Sequence, residues 1–239
     1  LAVAAALGIP LVDCDGMGRA FPEIQMVTPT IYDIAATPMA MADEKGNSVL
    51  LNTVDNRWTE RISRAVTVEM GGSALIALYP MTGAQLKEAC IRGSISLAER
   101  LGRAIAESRS RDEDPIEQVL RLTNGFELFR GKIVDVNRRT VKGFARGTAR
   151  FEGIDQDSGH ELRIDFQNEN LVALMDGEVV ASVPDLITVL ELETGRPITT
   201  EGLRYGYRCV VIGMPCNERW RTARGLELVG PRYFGYDID

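Results

Sequence analysis

Eleven consecutive residues near the start of the chain concentrate its chemistry: Asp13-Cys14-Asp15-Gly16-Met17-Gly18-Arg19-Ala20-Phe21-Pro22-Glu23. Three carboxylates and a thiol can share a cation or pass a proton, and an arginine among them can hold an anion. Gly16 and Gly18 allow positive φ or a close approach of backbone to a bound group. Asp13 and Asp15 are two residues apart, so on a continuing strand both side chains face one side. The plainer reading is a βα turn in which Asp13 or Asp15 caps the segment that follows. A lone Asp-Gly would favour that turn. Three acids, a cysteine and an arginine around two glycines favour a site.

A second polar cluster lies in Phe166-Gln167-Asn168-Glu169-Asn170-Leu171, where four amide or acid side chains sit between apolar residues. A polar β-turn accounts for two of them. Four in a row point to a cluster reaching into a cleft, with Glu169 as its acid and Asn168 as a substrate-binding candidate. In the tail, Arg232 and Tyr233 can bind a carboxylate or a ring, but packing of an aromatic terminus onto the domain is the better reading. Glu60 and Arg64, four apart on a helical turn, are secondary candidates. Met70-Gly71-Gly72-Ser73 lacks a following Gly-Lys-Ser/Thr and precedes a strand, so a tight turn fits it better than a phosphate cradle. Val183-Pro184-Asp185-Leu186 reads as a turn.

The elements that must position these residues follow from local signals. Val3–Leu7 reads as a helix stopped by Gly8, and Ile9–Val12 as a buried strand. The acids then fall at its carboxyl end, where open α/β sheets bind ligands. Pro29 and Pro38 deny a long helix over Ile24–Ala42, which reads as strand and loop. Asp43–Asn47 turns a hairpin between Met39–Ala42 and Ser48–Leu51. Capping boxes at Thr82–Gln85 and Ser96–Glu99 open two helices, with Cys90 packed in the apolar stripe of the first. Asp114-Pro115 opens a third helix, closed at Asn124-Gly125. Beyond Gly125 short alternating runs take over, including Phe126–Phe129 and Gly131–Val136, with hairpin signals at Asp157-Ser158-Gly159, Asp176-Gly177 and Glu193-Thr194-Gly195. The expected fold class is α/β: a layered α/β domain over residues 1–125, then an all-β barrel or sandwich over 126–239.

Composition narrows the function. A net charge of −7 with no basic run argues against a nucleic-acid binder, because such binding is driven by phosphate neutralisation. No apolar run approaches the roughly 18 residues of a membrane helix. Leu1–Leu7 lacks the basic start and cleavage site of a signal peptide, and without an initiator Met the chain is expected to begin inside a longer protein. Four cysteines without a Cys-x-x-Cys pair fit a reduced, cytoplasmic setting. With His160 as the single histidine, no three-His or two-His metal site can be built within this segment. A metal here must rest on carboxylates, a thiolate, His160 or groups from elsewhere. An acidic surface with a β domain is compatible with a homo-oligomer.

The motif around Asp13–Glu23, the segment Phe166–Leu171, Pro184-Asp185-Leu186-Ile187 and the ending Gly230-Pro231-Arg232-Tyr233-Phe234-Gly235-Tyr236 together resemble the S-methyl-thiohydantoin desulfurase family. The resemblance covers nearly the whole chain, and it implies an α/β domain followed by a β domain, preceded by a further glycine-rich part. It also implies cleavage of a carbon–sulfur bond on a hydantoin-like small molecule, with help from a divalent metal ion such as zinc. By that resemblance Asp15, with Cys14 or Asp13, lies near the metal. Glu169 or Glu23 is the proton carrier or a ligand, and Arg19 holds an anionic group of the substrate. Two other readings stand beside it: a non-catalytic ligand-binding or accessory subunit of a hydantoinase-type system, and a nucleotide-dependent enzyme.

Overall fold

The computed structural model describes residues 1–238. Helix α1 (Ala2–Leu7) ends as expected at Gly8, whose φ of 63° is left-handed. The run Ile9–Val12 forms no strand and stays exposed, Val12 at 54%. Pro10 removes a ladder donor from so short a run. The strand that does form, β1, is only Cys14–Asp15. Next come α2 (Thr28–Ile31), β2 (Met39–Ala42), β3 (Ser48–Leu51), α3 (Asn56–Glu69), β4 (Leu75–Ala77), α4 (Gly83–Ala89), β5 (Ile91–Arg92), α5 (Ser94–Ser110) and α6 (Pro115–Thr123). Strands β3-β2-β4 make a three-stranded sheet in the expected hairpin register, Met39 opposite Leu51, and β1 pairs with β5. Every one of these pairings is antiparallel. The strand-end crevice of a parallel sheet is therefore not what positions the acids.

Local signals account for most of the helices. Asp55 caps α3 through the Trp58 amide, and Asp114 caps α6 through Ile116, with Asn124 left-handed at its end. Thr82 and Gln85 form the full capping box of α4. The second expected box is absent. Helix α5 starts three residues earlier, at Ser94 with Gly93 as its N-cap, and Ser96 lies inside its first turn.

Beyond α6 run β6 (Phe126–Val141), β7 (Phe144–Gly153), β8 (Glu161–Gln167), β9 (Glu169–Met175), β10 (Glu178–Ser182), β11 (Leu186–Glu191), β12 (Pro197–Ile198) and β13 (Arg208–Met214), then α7 (Ala223–Val229). They form one eight-stranded antiparallel sheet in the order β10-β9-β8-β7-β6-β13-β11-β12. The expected barrel does not close, because β10 and β12 remain its edges. The sheet curls instead around one core, in which Phe129, Phe151, Leu162, Ile164, Val189 and Val211 from five strands meet. The two runs at Phe126 and Gly131 are one strand. Gly131 permits this, since a Cβ there would lie 2.7 Å from the Glu152 carbonyl oxygen of β7. Among the described residues no helix is long and apolar enough to cross a membrane.

Candidate functional site

The acids of the first motif serve different parts of the backbone. Asp13 accepts hydrogen bonds from the Ile95 and Ser96 amides at 3.0 Å and from Ser96 Oγ at 2.6 Å, so it caps the first turn of α5. The Ser96 bonds hold its carboxyl below the ordinary range. Asp15 turns back on its own loop, where its Oδ1 accepts from the Met17 and Gly18 amides. The turn requires glycine at 18: its φ is +68°, and a Cβ would come 3.0 Å from Ile91 Cδ1. Between the two acids, Cys14 lies beside Cys90, whose thiol donates to Met81 Sδ at 3.8 Å, and burial raises both thiols, Cys90 to about 11. All four cysteines are unpaired. Asp13, Cys14 and Asp15 therefore do not converge as a metal donor set. No group of three or more His, Cys, Asp or Glu among the described residues does so.

Arg19 is buried, and its fork faces backbone carbonyls. It donates to the oxygens of Ala20, Pro184, Asp185 and Asn170, and it lies 4.6 Å from the Phe21 ring centre. Through this one side chain the first motif is tied to both the Phe166–Leu171 and the Pro184-Asp185 segments. Trp220 fixes the loop from the other side, donating from Nε1 to the Met17 carbonyl at 2.8 Å and packing edge-on to Phe21. Burial lowers Arg19 to about 10, which leaves it charged at neutral pH.

Asn168 is the single residue between β8 and β9. Its φ of 54° is left-handed, and its side chain accepts from the Ala145 amide. Arg232 is 68% exposed and faces Asp237 at 4.0 Å. Glu169 is half-buried beside Arg19 and Glu201, and desolvation raises its carboxyl above the ordinary value of 4.5 despite the nearby guanidinium. A raised folded-state value means that stability falls as pH climbs from 4.5 through that higher value. Glu169→Gln is therefore expected to match the wild type in melting temperature near pH 4 and to exceed it at pH 7.5. Thermal melts at the two pH values test this, and an equal or lower Tm for the variant at pH 7.5 would contradict it.

Glu23 has the richest surroundings of the sequence candidates. Its Oε2 accepts from Tyr233 Oη at 2.8 Å and from the Gln25 amide, while the Gln25 carbonyl oxygen is buried without a partner. Burial and the neighbouring carboxylate push the Tyr233 phenol up to about 12, so it stays protonated and donates. One turn of α3 closes the arrangement. Glu60 pairs with Arg64 and accepts the Ile24 amide at 2.8 Å. Arg64 donates to the Pro22 and Gly143 carbonyls and lies 3.8 Å from the Phe144 ring centre. Glu23 and Arg64 form the wall shared by two cavities. One, about 1050 Å³, lies between α3, the Lys142–Phe144 turn and Tyr233. The other, about 790 Å³, lies between the motif loop and the start of α5. Asp15 and Arg19 also line the second; Asp13, Cys14, Asn168, Glu169 and Arg232 line neither. Tyr233 is the functional candidate that sequence reasoning assigned to packing. Its partner lies 210 residues away, and only its place in the aromatic tail pointed to it.

Two family models together match the whole chain: the S-Me-THD-like N-terminal domain over residues 1–53 and the S-Me-THD-like C-terminal domain over residues 54–239. Among solved structures, an X-ray structure of a protein from Chromobacterium violaceum is similar, with a TM-score of 0.75 and 25% identity. The likeness covers 98% of this chain and 66% of that one, so the chain spans just under two thirds of that protein's length. No protein of curated function matches.

Proposed function

Since the chain belongs to the S-Me-THD-like family, we propose that it acts as a hydrolase on an S-methyl-thiohydantoin or related cyclic amide ring, with Glu23 as its proton carrier. The observation that carries this reading is the Tyr233–Glu23 hydrogen bond at the wall between two cavities of ligand size. Water adds to C2 of the ring while Glu23 takes its proton. The C2–sulfur bond then breaks, and Glu23 returns that proton to the departing sulfur. The second water hydrogen ends on the ring nitrogen formerly double-bonded to C2, so the ring keeps the oxygen as a C2 carbonyl. Tyr233 orients Glu23 by donating to Oε2. Arg64 lines the same two cavities as Glu23, with its donors held by Glu60 and two carbonyls. No step is assigned to Asp13, Cys14 and Asp15 as metal ligands, because the two carboxylates are engaged by α5 and by the loop.

The test is thiol release. Full-length protein incubated with S-methyl-thiohydantoin is expected to liberate methanethiol, detected with a thiol-reactive dye, in step with hydantoin formation. Saturable binding of the ring with no thiol released would replace this reading with that of a ligand-binding or accessory subunit.

A further inference from the structure

The outer face of the large sheet carries two arginines directly opposite each other, Arg139 on β6 and Arg146 on β7. Like charges in directly facing cross-strand positions destabilise a sheet unless something lies between them. Neither donates a hydrogen bond or forms an ion pair among the described residues; Arg146 only approaches the Phe144 ring, at 5.9 Å. The row continues onto β8, where Gln167 faces Arg146. Gln167 is 5% exposed and its side-chain amide makes no hydrogen bond among the described residues; the little exposure it keeps includes that amide. It belongs to the polar segment that drew notice in the sequence, and the proposed hydrolysis does not use it.

These three side chains line one cavity of about 320 Å³, closed on its far side by Tyr236 of the tail. The adjoining row, Asn137, Thr148 and Asp165, adds an amide and a hydroxyl. The one acid there, Asp165, is already held by both donors of Arg163, at 2.8 and 2.9 Å. Burial keeps the Tyr236 phenol protonated, with its value raised to about 12. Two exposed guanidinium groups without ion-pair partners among the described residues, an amide without a protein partner there and neutral donors therefore converge on a small space.

We propose that Arg139, Arg146 and Gln167 form a binding site for a compact dianionic oxyanion of the phosphoryl class. Two guanidinium forks match the two charges and several oxygens of such a group, whereas one carboxylate would occupy a single fork. Binding would relieve the repulsion between the arginines and satisfy Gln167 at once.

The experiment is a thermal-shift titration with inorganic phosphate against potassium chloride at matched ionic strength, on wild type, Arg139→Gln and Arg146→Gln. Wild type is expected to show a saturable rise in Tm at millimolar phosphate, and each variant to need about tenfold more. Without phosphate, both variants are expected to melt no lower than wild type, which separates lost binding from lost folding. Phenyl phosphate distinguishes the sources. Tighter binding than phosphate would mark the phosphoryl end of a larger ligand, and equal binding free phosphate; both support the site. Three results would overturn it: no saturation, an equal response in the variants, or an equal effect of acetate.

Discussion

Arg19→Met is expected to lower the unfolding free energy by about 3–5 kcal/mol, read as a drop in urea midpoint at unchanged slope. The size follows from what stays behind. Four carbonyl oxygens, of Ala20, Asn170, Pro184 and Asp185, now accept from one guanidinium. Methionine fills much of the volume and offers no donor, and a buried acceptor left empty carries a desolvation cost of about 1–3 kcal/mol. Glu169 would lose the positive charge that partly offsets its burial. Arg19→Lys should restore the charge while recovering less than half of the stability, because an ammonium presents its donors from one point and not as a planar fork. The same pair of variants separates two roles for this residue. A variant that kept its urea midpoint and lost affinity for substrate would mark Arg19 as a substrate anchor, as the family resemblance implies. A large loss of stability in both marks it as the clamp that holds three distant segments together.

Features with short-range causes were readable in advance. The Met39–Leu51 hairpin, the α4 capping box, the Asp114 cap of α6 and the Asp176-Gly177 hairpin each depend on a few neighbouring residues, and each is present. What escaped depends on contacts far along the chain. Ile9–Val12 looks like a strand by composition, but an apolar run needs a partner strand, and β1 forms only where β5 offers one. The local pattern of Ser96 fits an N-cap. Asp13, eighty-three residues earlier, takes its hydroxyl and its amide instead. A period-two pattern marks strands without saying whether their sheet closes, so a curled open sheet and a barrel read alike. The candidate site divides in the same way. Polarity and glycines marked the motif loop, and Glu23 was among its acids. That Glu23 is the one joined to a tyrosine, an amide and two cavities is a property of the packed tail.

Glu23→Gln is expected to reduce thiol release by about 10²–10⁴-fold in kcat while leaving the fold and the affinity for the ring nearly unchanged. Glutamine keeps the shape, and its carbonyl oxygen can still accept from Tyr233 and Gln25, so the packing that surrounds the carboxylate survives. What disappears is the ability to take a proton from water and return it to sulfur. Tyr233→Phe should be milder, since the base remains and loses only its orienting donor. Without that hydrogen bond the carboxylate is no longer held toward the ring, so kcat is expected to fall by about tenfold with KM unchanged. A merely structural tyrosine would lower stability and leave the kcat of the folded enzyme in place. The two variants therefore test different links of one chain of reasoning: the kcat of Glu23→Gln tests whether this carboxylate carries the proton, and the split between kcat and KM in Tyr233→Phe tests whether the tail positions it. If Glu23→Gln turned over like the wild type, the proton would have to travel through another group, and Asp15, which lines the neighbouring cavity, would be the next acid to replace.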